Sequence, residues 1–123
     1  MDKKVQAALI AGGVLAISMA SNAYAAPCGG DVAATGTPQT CDVSSGDANG
    51  YVSEAFKLNI SANVALKYDG SPTVVAVTSA NTKGMHTFGG SSQGGAVAAC
   101  EPTSVGNPVP GTPNLTLGCP PAP

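Results

Sequence analysis

Gly90-Ser91-Ser92-Gln93-Gly94 has the G-x-S-x-G spacing of a nucleophile elbow, the one stretch of the chain that hints at catalysis. In that motif a strand-to-helix turn exposes the central serine, here Ser92, and a histidine and an acid follow later in the chain. The single histidine, His86, instead precedes Ser92, no helical pattern follows, and the chain is too short for the fold that carries the elbow. Glycine and serine crowd the whole stretch, so composition alone accounts for the match. We expect no enzyme and no catalytic residues.

Metal chemistry fares no better. Asp47-Ala48-Asn49-Gly50 has part of the spacing of a calcium loop. In that frame, however, the first ligand falls on Ser45 and the twelfth on Phe56, where a bidentate glutamate is needed. Asp42, Ser44, Ser45, Asp47 and Asn49 read more simply as turn formers, since their side chains bond nearby backbone groups. Met85-His86 offers two soft copper ligands, too few for a site. The four cysteines include no C-x-x-C pair and His86 is remote from them, which argues against zinc. The carboxylates stand singly, so no acid–base pair is suggested. No tryptophan is present to build a carbohydrate platform. The expectation is no metal and no cofactor.

Cys28, Cys41, Cys100 and Cys119 instead read as structural. Residues 1–25 have the pattern of a secretory signal peptide: Lys3 and Lys4, an apolar run from Val5 to Met19, and Ala23-Tyr24-Ala25 as the cleavage site. The run is shorter than the roughly 20 residues of a membrane span, so no span is expected once the signal is removed. An even number of cysteines, all beyond that site and bound for an oxidising compartment, implies disulfides. Of three possible pairings, Cys28–Cys41 and Cys100–Cys119 each close a short loop outside the main strand region, and we favour them. In the chain-entropy view each would contribute about 3 kcal/mol. Small exported domains with thin cores need such staples.

Charge narrows the partners. Beyond residue 25 the chain has three lysines (Lys57, Lys67, Lys83) and no arginine, against six carboxylates (Asp31, Asp42, Asp47, Glu54, Asp69, Glu101). A weakly acidic chain without arginine lacks the footprint for neutralising phosphates, so nucleic acid is not an expected partner. No prepilin cleavage motif and no tandem Gln/Asn repeat is present.

The element that must organise everything else runs from Phe56 to Tyr68. Phe56, Leu58, Ile60, Ala62, Val64, Leu66 and Tyr68 alternate with Lys57, Asn59, Ser61, Asn63, Ala65 and Lys67. Period two places one apolar and one polar face on a strand, whereas a helix would scatter both sets. We expect a long half-buried strand here, with a bend or bulge near Ser61-Ala62-Asn63. Asp69-Gly70-Ser71-Pro72 reads as a turn, Thr73 to Thr78 as the returning strand, and Asn81 to Gly84 as a second turn. Met85 to Phe88 and Ala96 to Cys100 read as two more short strands, separated by a flexible Gly89–Gly95 loop.

The predicted organisation is therefore all-β: a small antiparallel meander of about four strands, as a sheet or small sandwich. A Gly/Ser/Asp-rich disulfide loop (26–50) precedes the meander (51–101), and a Pro-rich tail (102–123) follows it. Leu115 and Leu117 are expected to dock an edge, with Cys119 tying the tail back. A sheet with an underfilled apolar face and an open edge can capture another chain. The sequence thus points to a structural or interaction role outside the cytoplasm. The partner would be the protein itself or another exported protein, and Phe56, Leu58, Ile60, Val64, Leu66 and Tyr68 would form the interaction strand. The alternative is a monomeric periplasmic module binding a small ligand or partner protein.

Overall fold

The structure is a computed structural model and describes residues 26–121. The signal peptide expected over 1–25 and the last two residues of the tail lie outside the described residues. The chain is all-β, with strands β1 (Asp31–Val32), β2 (Gln39–Val43), β3 (Phe56–Ile60), β4 (Val64–Ser71), β5 (Val74–Asn81), β6 (Thr87–Ser91) and β7 (Ala98–Ala99). They form two antiparallel sheets, one in the order β1-β4-β5-β6-β7 and one of β2 and β3. The expected meander is present as β4-β5-β6-β7.

The long strand expected from Phe56 to Tyr68 is instead two strands in different sheets. The chain breaks at the expected place. Asn63 takes a left-handed conformation (φ 64°), which asparagine tolerates better than most residues. Its N–H donates to the Thr35 carbonyl at 2.6 Å, and its own carbonyl accepts from Thr82 N–H at 2.8 Å. The alternation continues across the break with an informative result. Leu58 and Ile60 reach the space between the sheets from one layer, and Val64, Leu66 and Tyr68 from the other.

Residues 26–50 are not a loop, contrary to expectation. β1 pairs with Leu66 and Lys67 of β4, and β2 pairs along its whole length with β3. Gln39-Thr40-Cys41-Asp42-Val43 alternates as a half-buried strand does, but its inward residues include a cysteine, so the apolar pattern is faint. β1 has two residues, too few to show a period. Residues Ala26 to Cys28 also lie parallel to β2, exchanging bonds with Asp42: Cys28 N–H to its carbonyl at 2.9 Å and Asp42 N–H to the Ala26 carbonyl at 3.0 Å.

The turn between β4 and β5 is Pro72-Thr73, not Asp69-Gly70, because Ser71 pairs with Val74. Gly70 is inside β4 for a steric reason. A Cβ there would lie 2.5 Å from the Ala48 carbonyl oxygen, so the glycine admits the 46–50 turn rather than making one itself. Gly89 and Gly90 likewise belong to β6 and not to a flexible loop. At Gly89 a Cβ would lie 2.7 Å from the Cys119 nitrogen, because the tail crosses the strand at contact distance. Met85 and His86 precede that strand, and the fourth meander strand is only Ala98–Ala99.

The two faces of the large sheet are therefore covered differently. On one face Ala65, Ala76, Thr78, Ala80 and Thr87 are buried, and the Pro-rich tail crosses that face at Thr78 and Gly89. Small side chains suit it, since the tail's backbone bonds directly to the sheet: Thr78 Oγ1 donates to the Gly111 carbonyl at 2.5 Å and Ser91 Oγ to that of Leu115. Pro108, Pro110 and Pro113 are buried. The tail docks on a face and not, as expected, through Leu115 and Leu117 on an edge; Leu117 is exposed. On the other face the β2-β3 sheet packs a cluster of Cys28, Val32, Cys41, Val43 and Ile60. The favoured disulfides are both present, Cys28–Cys41 and Cys100–Cys119, with Cα separations of 5.0 and 5.2 Å.

Candidate interaction site

A two-strand layer cannot cover a five-strand sheet. Inward residues of β2 are buried, Cys41 at 5% exposure and Val43 at 3%, and they meet Val32 of β1. Enclosure fails toward the start of β3: Ile60 is 5% exposed, but Phe56 is 51% exposed. β3 therefore lies at the margin of the covered region, with β5, β6 and β7 extending beyond it.

That margin is a groove of about 540 Å³. Leu66, Tyr68, Val75 and Val77 form its floor, and Phe56 and Leu58 one wall. Tyr51, Val52 and Glu54 line one end, and Glu54 is the only charged residue among the described residues that lines it. A second hollow of about 380 Å³ continues from Val75 and Val77 across Phe88, Gly90 and Val97. Phe88 and Val97 are both exposed. Together they make one open apolar face.

Of the expected interaction strand, Phe56, Leu58, Leu66 and Tyr68 line the groove. Ile60 is buried in the cluster and Val64 packs against it, so these two act in the core. Val75, Val77, Phe88 and Val97 were not anticipated. The signal was the near-continuous apolar run from Val74 to Val77, which marks a strand covered on both faces or in need of cover.

Backbone geometry adds a second feature. Asp42 directs both of its backbone groups to Ala26 and Cys28, away from β3. Asp42–Lys57 is therefore a non-hydrogen-bonded pair, as is Thr40–Asn59 two residues along. Lys57 and Asn59 then present N–H and C=O on the free side of β3, where no strand among the described residues pairs. Both residues are exposed.

The turn beside the groove is held by the polar residues read as turn formers. The Asp47 carboxylate accepts from Ser44 N–H at 2.9 Å and from the Tyr68 hydroxyl at 3.3 Å. Burial raises the pKa of Tyr68, a Gly30 backbone hydrogen bond lowers it in part, and the charge on Asp47 raises it further. Asn49 donates to Asp69 Oδ1 at 3.0 Å and to the Gly70 carbonyl at 2.7 Å. Asp47 and Asn49 thus anchor the turn to β4.

The elbow-like stretch is not assembled as one. His86 and Ser92 flank β6 at opposite ends, separated by its five residues, about 16 Å of strand. Ser92 Oγ accepts from Val75 N–H at 2.9 Å. His86 lies 3.7 Å from Glu101, whose carboxylate accepts from Thr87 N–H at 2.8 Å and Thr87 Oγ1 at 2.5 Å. The Thr87 hydroxyl bond is the main reason the Glu101 carboxyl titrates below its ordinary value. Among the described residues no three His, Cys, Asp or Glu side chains converge to hold a metal ion. No helix among them is long and apolar enough to cross a membrane. Comparison with protein-family models, curated proteins and solved structures returned no match.

Proposed function

We propose that this is a small exported β protein with a structural or interaction role at the cell surface or outside the cell. The observation that carries the reading is the open apolar face between Phe56 and Phe88, lying beside an unpaired strand edge. Monomeric proteins seldom leave contiguous apolar patches bare without a binding partner. Two disulfides accord with an oxidising compartment, and the signal-like residues 1–25 supply the export route. Self-association is part of the proposal. Light scattering of the mature, unreduced protein over a concentration series, with electron micrographs, tests it. Mass rising above the monomer supports self-association; a monomer at every concentration removes that part.

The groove also favours a second reading, a monomeric periplasmic module for a small ligand. Its volume lies within the roughly 300–1,000 Å³ of small-molecule sites, and its lining is apolar with few polar groups. A ligand retained through purification and seen by native mass spectrometry would favour that reading.

A further inference from the structure

We infer that the groove accepts one extended strand of a partner protein, added to the free edge of β3 and laid over β5 and β6. This rests on the interaction reading and names the partner's chemistry: about five residues, apolar at alternate positions, with a basic residue at the end near Glu54.

Three observations converge on a strand. Lys57 and Asn59 offer backbone donors and acceptors at strand spacing along an unpaired edge. The inward faces of Phe56 and Leu58 end over a floor of Val75 and Val77. A strand placed about 4.8 Å beyond β3 would send alternate side chains onto that floor and leave the others in solvent. Glu54, the sole charge in the lining among the described residues, sits where a cationic residue would meet it. The occupant's pattern is thereby set by the receiving site.

The area decides between a strand and a whole protein surface. Three strands of about five residues make a floor of about 14 by 17 Å, roughly 240 Å². A stable rigid interface needs about 800 Å² from each partner. The floor is too small for a second copy pressed flat upon it and has room for an added strand. A second copy would have to bring a strand that its own sheets already pair on at least one side, and its tail is rich in proline.

The test uses the mature, disulfide-intact protein labelled with ¹⁵N and the peptide acetyl-Lys-Val-Thr-Val-Thr-Val-Lys-amide, which sets a lysine near Glu54 in either strand direction. Binding is expected with half-saturation below about 1 mM, a weak affinity suited to a short untethered strand. The amides of Lys57 and Asn59 should gain protection from exchange, while Leu58, already bonded to β2, should not change. Lys57→Pro removes only an outward donor, which an edge strand tolerates, and should abolish that protection with the folded spectrum intact. Val77→Ser leaves the edge whole and should weaken binding about fivefold or more by thinning the apolar floor. A peptide with proline for the central valine should not bind.

Saturation that leaves Lys57 and Asn59 unprotected, or that survives Lys57→Pro, would show an apolar ligand site and overturn the strand assignment. No peptide binding alongside concentration-dependent association of the protein would overturn it too, while the broader interaction reading stands. No peptide binding and a strict monomer would remove both the strand assignment and the self-association on which the broader reading draws.

Discussion

Asn49 and Gly70 are joined by a 2.7 Å hydrogen bond from the Asn49 side-chain amide to the Gly70 carbonyl, across a contact that leaves no room for a Cβ. Ala48 and Asn49 both hold positive φ, 55° and 54°, to bring this turn against β4. A Cβ on Gly70 would stand 2.5 Å from the Ala48 oxygen and 2.9 Å from the Val74 oxygen. Backbone on both sides cannot yield cheaply. Gly70→Ala is expected to destabilise by about 1–3 kcal/mol through overpacking, read as a lower midpoint in denaturant.

The tail provides a second close approach. Gly89→Ala would drive a Cβ to 2.7 Å from the Cys119 nitrogen and 2.8 Å from the Gly118 carbonyl carbon. The substitution should lift the tail and speed amide exchange between residues 111 and 119, while β4 and β5 keep their protection. Gly36→Ala is the control, since no atom of the described residues lies within 4 Å of its Cβ position. That change should be neutral or stabilise by up to about 1 kcal/mol by restricting the unfolded chain.

The two disulfides differ in setting although their loops are similar, with sequence separations of 13 and 19. Chain entropy gives each about 3 kcal/mol. Cys28 and Cys41 are also part of the intersheet cluster, 3% and 5% exposed. Replacing both with serine adds the cost of buried hydroxyls, and cooperative unfolding near room temperature is expected. Replacing Cys100 and Cys119 should release the tail and leave the β2-β3 layer packed. Exchange protection measured separately for Val43 and Gly118 would distinguish the two.

Acid should loosen the β6-β7 end of the sheet first. Glu101 accepts both the hydroxyl and the amide N–H of Thr87, and the hydroxyl bond is the larger cause of its lowered pKa. A carboxyl whose folded pKa lies below the unfolded value stabilises fully above the unfolded value, near 4.5. That contribution is lost as pH falls through the folded pKa. The melting temperature should therefore drop between pH 5 and acid conditions near about pH 3. Glu101→Gln, which cannot titrate, should lack that part of the drop, and Thr87→Val should reduce it.

The legible parts of this fold were those encoded locally. Alternation from Phe56 to Tyr68 identified strand and inward face, and it remained correct across a break that changed sheets. Short sequence separation identified the disulfide partners. Glycines misled for one reason at two places. Gly70 and Gly89 look like turn and loop residues, yet each is needed where a distant segment crosses its strand. Asp42 misled in the opposite sense: with Ser44 and Asp47 it reads as part of a turn cluster, yet it pairs with Lys57 in β2.

The sequence by itself determined an all-β chain, the inward set on β3 and β4, the paired cysteines and an interruption near Ser61-Ala62-Asn63. These follow from side-chain period, loop length and backbone tolerance, all properties of neighbouring residues. Only the tertiary structure decided that Phe56 and Tyr68 belong to different sheets and that the tail covers one face. It also decided that Val75, Val77 and Phe88 are left open beside the unpaired edge at Lys57 and Asn59. Which face is covered depends on how many strands each layer holds. That count is a sum over pairings between residues far apart in the chain, and no local pattern records it.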